Sequence, residues 1–164
     1  MLYELRVVRE RRPEYAAPPI PCTSPSVMAA AMQPHFAGLD REQFVVVALD
    51  GKNQMLGFHV VSIGTLTASL VHARECFKVA ILANAAAIIV MHNHPSGDPT
   101  PSVEDVAVTR RLEQAGEILG VRVLDHIVLG DGNAYMSFAD KNLLGVHQDE
   151  VTRRLASIDK EEPK

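Results

Sequence analysis

The stretch from Ala85 to Gly120 constrains this chain most. It reads AAAIIVMHNHPSGDPTPSVEDVAVTRRLEQAGEILG. A continuous apolar run with β-branched residues, too short for a helix, predicts a buried strand ending near His94. Seven residues from Pro95 to Pro101, with three prolines and a glycine, cannot continue it. Ser102 then opens a helix. Ser102-x-x-Asp105 has the spacing of a capping box, and Val108, Leu112, Ala115 and Leu119 form an apolar stripe that ends at Gly120. A buried strand followed by a loop and an amphipathic helix belongs to a sheet covered by helices.

The flanks fit that frame. EQFVVVALD, Asp50-Gly51 and QMLGFHVVSIG predict a hairpin, with the second strand apolar on both faces and so buried. Residues 73–83 predict a helix, with Asn84 as its left-handed stop. VRVLDHIVLGDGNAYMS predicts two strands around a Gly-Asp-Gly turn. Upstream, residues 2–8 suggest a short strand and 13–25 hold five prolines, an extended arm. SPSVMAAAMQ is a short helix capped by Ser24, with Pro25 in its first turn and Pro34 limiting its extension. The expected organisation is an arm over 1–40, one α/β (α+β) domain over 41–146 and a charged tail over 147–164.

Composition narrows the function. Sixteen basic against twenty acidic residues leave a net charge of −4, without the basic field of a dedicated duplex-DNA binder. Local arginines at 6, 9, 11, 12, 110 and 111 leave a basic patch open. Two cysteines, Cys22 and Cys76, make neither a disulfide framework nor a thiolate zinc site. With no 18-residue apolar run and no signal-like N-terminus, a cytoplasmic protein is expected.

His92 and His94, two apart on an extended chain, point the same way. Alone, His-x-His more often reads as surface or capping histidines. Asp105 alters that balance. It lies on the helix line that Val108 continues, where a carboxylate needs a partner. Two nitrogens and one oxygen give three protein ligands and leave a fourth position open, the arrangement of a catalytic metal site. Zinc suits this set, and iron or manganese could replace it.

His92-Asn93-His94-Pro95, six residues, Ser102, two residues and Asp105 resemble the motif of the JAMM (MPN+) metalloproteases. HNHPSGDPTPS, with NAAAIIV before it and LDHIVLG after it, is similar to the RadC-like branch over about residues 41–144. The resemblance implies a JAB/MPN-like (cytidine-deaminase-like) mixed β-sheet flanked by helices. It implies one Zn2+ per chain on His92, His94 and Asp105. It implies that Ser102 donates to an oxyanion, and that a glutamate at the first core strand is the base. Glu42 has that place; Glu75, on the helix before the histidines, is its rival. A peptide or protein substrate, ubiquitin-like or isopeptide-linked, is the implied partner; the alternatives are a DNA-repair or recombination accessory, which the RadC name raises, and a metal-stabilised interaction module without turnover. Longer RadC proteins carry a helix-hairpin-helix segment in front, which the arm here does not resemble.

Other polar residues receive plainer expectations. Asp98 stabilises the loop, with approach to the metal's surroundings a lesser option. Asp125 and His126 form a satisfied core pair or support the ligands. His59 is a core histidine and Cys76 packs in its helix.

Overall fold

The computed structural model describes residues 20–64, 71–146, 150 and 153–155. The expected strand over 2–8, the rest of the arm up to residue 19 and most of the tail lie outside them. The elements are α1 (Pro25–Phe36), β1 (Gln43–Leu49), β2 (Met55–Ile63), α2 (Ala73–Leu82), β3 (Ala87–Asn93), α3 (Val103–Leu119), β4 (Arg122–Leu129) and β5 (Tyr135–Ser137).

The five strands form one mixed sheet in the order β2-β1-β3-β4-β5. β1 pairs antiparallel with β2 and with β3, and β4 with β5. β3 and β4 run parallel, joined through α3 as a βαβ unit. Strand alternation divides the apolar residues between two faces. Val45, Val47, Leu49, Ile89 and Met91 pack under α1 with Met28, Met32 and Phe36. Phe44, Val46, Ile88 and Val90 pack under α2 and α3, against Phe77, Val108 and Leu112. Each such side chain contributes about 1.5–3 kcal/mol on burial. His92 continues the Ile88–Val90 parity and so emerges on the α2/α3 face.

Local chemistry sets the ends. Ser24 caps α1 by accepting from the Val27 amide. Pro34 lies inside the helix, which closes two residues later at Phe36. Ser102 and Asp105 form a complete capping box on α3. Gly120 ends α3 at φ 69° and Asn84 follows α2 at φ 52°, both left-handed. The β1–β2 turn is longer than two residues: one Asp50 carboxylate oxygen accepts from the Lys52 and Gln54 amides, each at 2.8 Å.

Three expectations need correction. β2 is an edge strand among the described residues and none of its residues is fully buried, because only β1 of those residues' strands flanks it. His59 on that strand is exposed rather than in the core. The α3 stripe does not run to Leu119, which is 47% exposed. It passes instead through Gly116, where a side chain would meet the Val121 carbonyl and Phe77, so the returning chain takes that space. Cys76 packs in the core as expected.

The loop after β3 is held down by the β4–β5 turn. The His94 amide donates to the Leu129 carbonyl at 2.8 Å and the Asp131 amide to the Gly97 carbonyl at 2.9 Å. A Cβ on Gly130 would collide with the Gly97 carbonyl and stand 2.9 Å from the Pro99 ring. Gly130→Ala is therefore expected to destabilise the metal-free protein by about 3 kcal/mol, the upper end of overpacking costs. Urea unfolding measures this, and an unchanged midpoint would contradict the contact.

Candidate metal centre

The parallel β3 strand ends where α3 begins, and four side chains meet there. One ligating atom from each of Glu42, His92, His94 and Asp105 lies within 4.8 Å of all the others. The two imidazole Nε2 atoms are 3.0 Å apart. Asp105 Oδ1 is 3.3 Å from His92 Nε2, and Oδ2 is 3.6 Å from His94 Nε2. Glu42 Oε1 is 3.8 Å from His92 Nε2. Two ligands at tetrahedral zinc, each about 2.0–2.1 Å from the ion, stand roughly 3.3 Å from one another. The donor set and its spacings therefore fit a small divalent cation.

Asp105 divides its two oxygens between two tasks. Oδ2 accepts from the Ser102 amide and hydroxyl, both at 2.7 Å. Oδ1 faces His92. Burial alone would raise this carboxyl's pKa. The imidazolium forms of His92 and His94 donate to it, and together with Ser102 they outweigh burial and hold it far below the usual carboxylate range. Ser102 sits at the solvent end of the helix, and its hydroxyl points to Asp105.

His94 is oriented from the loop. Its Nδ1 lies 2.7 Å from the Asp98 carbonyl, which can only accept, so Nδ1 carries the proton and Nε2 is left for the cluster. Burial disfavours its charged form, but Asp105, the Asp98 carbonyl and Glu42 outweigh that and raise its pKa. Asp98 thus acts near the site through its backbone. Its carboxylate accepts from the Thr100 amide, the loop role expected of it.

Glu42 and Glu75 are separated by the fold. Glu42 precedes β1, whose Phe44 is paired with His92, and so stands beside the histidines. Glu75 is outside the cluster, on the exposed side of α2 with Lys78 and Arg74. A shallow cleft lined by Asp40, Arg41, Glu42, Gly64 and Pro95 opens beside Glu42.

Two further contributors, Asn93 and Thr109, carried no expectation from the sequence, and a third, His126, was weighed there as a support of the ligands. Asn93, between the histidines, accepts from the Gln43 amide at 2.9 Å and donates to the Arg41 carbonyl at 3.1 Å. It holds the backbone on both sides of Glu42. The one available signal was its alternation, opposite in direction to His92. Thr109 and His126 are completely or almost completely buried, and His126 Nε2 is 2.8 Å from His92 Nδ1. The neighbouring Asp125 points to the other face, accepting from Ser137, Ala139 and the His126 amide. Burial nonetheless pushes its pKa up to about 6. The two are not one pair. Asp125 is a satisfied core residue, and only His126 turns toward the cluster.

The architecture is an α/β domain, a mixed sheet between helices, with a two-histidine, two-carboxylate cluster that could hold a metal ion where a parallel strand meets a helix N-terminus. The model of the RadC-like JAB domain matches residues 22–143, and the chain belongs to that family. Relatives named UPF0758 protein are 54% identical over 121 residues in Desulfitobacterium hafniense and in Moorella thermoacetica. Each alignment covers 74% of this chain, and 53% and 52% of those proteins. One in Pelobacter propionicus is 57% identical over 104 residues, covering 63% of this chain and 45% of that protein. The chain spans about half the length of these curated relatives. Among the described residues no helix is long and apolar enough to cross a membrane.

Proposed function

We propose that the protein is a zinc-dependent hydrolase of amide or isopeptide bonds in a peptide or protein substrate. The observation that carries this reading is the convergence of Glu42, His92, His94 and Asp105. His92, His94 and Asp105 would hold the ion. Bound zinc would supply Lewis acidity and lower the pKa of a water towards ~7. Glu42, 3.8 Å from His92 Nε2 where Asp105 stands at 3.3 Å, would take that water's proton. It then passes the proton to the leaving amine. Ser102, turning from Asp105, donates to the oxyanion that develops on the scissile carbonyl. The cleft beside Glu42 is where an extended chain would reach the site. A lysine-linked, ubiquitin-like tail is the substrate class that this chemistry suits.

The site is tested by metal analysis. The purified protein is expected to hold about one zinc per chain, and the double variant His92→Ala, His94→Ala none. Equal metal content in both would end the assignment.

Acid should release the metal. Zinc needs neutral imidazole, and the pKa of His94 is raised above its ordinary 6.5, so protons already compete above that pH. Apparent affinity should fall about tenfold per pH unit for each displaced proton. A chelator competition series at stepped pH measures this; a flat profile would remove the imidazoles from the ligand set.

A further inference from the structure

We propose that His126 is a positioning residue that fixes which nitrogen of His92 faces the metal. The chain of hydrogen bonds has one possible direction for neutral rings. It begins at the Asp105 backbone carbonyl, which can only accept. Thr109 Oγ1 donates its single proton there, at 2.7 Å. The same oxygen lies 2.6 Å from His126 Nδ1 and must accept from it. A neutral His126 with its proton on Nδ1 presents Nε2 as an acceptor. His92 Nδ1, 2.8 Å away, is therefore the donor. His92 Nε2 is left with its lone pair, facing Asp105 Oδ1 at 3.3 Å and His94 Nε2 at 3.0 Å.

The surroundings keep His126 in this role. It is fully buried, stacked on Phe138 with centroids 4.9 Å apart and edge-on to Phe44 at 5.5 Å. These rings fix its plane and offer no counter-charge. The route also closes on itself. Asp105 starts it with a backbone oxygen and ends it with a side-chain oxygen beside His92. A helix shift that moved the carboxylate would also move the group that sets the imidazole. Metal-bound histidines commonly donate to a carboxylate or a backbone carbonyl. Here a second imidazole does that work, steered by a threonine.

The inference rests on the metal reading above, but its decisive measurement does not need the metal. Long-range 15N–1H NMR of the metal-free protein, above the histidines' titration range, assigns each ring's tautomer. Nδ1–H forms are expected at both His92 and His126; an Nε2–H form at either would overturn the proposal. Thr109→Val removes the steering hydroxyl without changing side-chain size. It should shift His92 toward Nε2–H and weaken zinc binding by about 10–100-fold, the usual cost of losing an outer partner. Thr109→Ser should restore both. Unchanged tautomer and affinity in Thr109→Val would also sink the idea. If that variant does not fold, the wild-type spectrum decides. A wild-type protein that binds no zinc would end the proposed hydrolase, while the tautomers would still judge His126.

Discussion

Glu42→Gln should keep its zinc and lose hydrolysis by about 10²–10⁴-fold, the range of a general base. The change preserves shape and removes the group that accepts a proton. Glu42 Oε1 lies 3.8 Å from His92 Nε2, whereas Asp105 Oδ1 lies at 3.3 Å. The proposed roles follow that ordering, with Asp105 as ligand and Glu42 across a water. The assay is a panel of fluorogenic substrates with a Gly-Gly tail on a lysine Nε, run beside metal analysis. Undiminished turnover would remove Glu42 as the base. Loss of zinc would instead make it a fourth ligand and close the site, as structural centres are closed.

Asp105→Asn should weaken zinc binding by more than the roughly 10–100-fold that outer-sphere changes cost, because a charged ligand becomes a neutral amide. The helix should survive, since an amide oxygen can still accept from the Ser102 backbone at the N-cap. The variant also shifts acid stability. The Asp105 carboxyl is held far below its unfolded value near 3.8. Its stabilisation is complete above that value and disappears as pH falls through and below it. Metal-free wild type should therefore lose stability on acidification more steeply than the variant. Zinc affinity within tenfold of wild type would take Asp105 out of the ligand set.

The residues of the site differ in how far the sequence could reach them. His92, His94, Ser102 and Asp105 lie within fourteen residues. Strand alternation and helix spacing are local rules, so their convergence was legible. Glu42 is fifty residues away, and only the family resemblance pointed to it; its place depends on the antiparallel register of Phe44 with His92. His126 was weighed as a support of the ligands, but its contact with Thr109 was harder still to foresee. Their meeting depends on the β3–β4 register, which sets Val90 beside His126, and on how α3 lies over it. The same limit explains β2. Its residues are apolar enough for a central strand, and no local signal says that the sheet ends there.

Asn93 ties these ranges together. Two neighbouring side chains of one strand end carry the imidazoles, and the residue between them grips the backbone around Glu42. The proposed base and ligands therefore share one foundation, and fraying of that strand end would scatter both at once. The amide of Gln43, bonded to Asn93 Oδ1, becomes a sentinel for the whole centre. Its hydrogen exchange should slow when the site is filled, although Gln43 itself touches none of the chemistry.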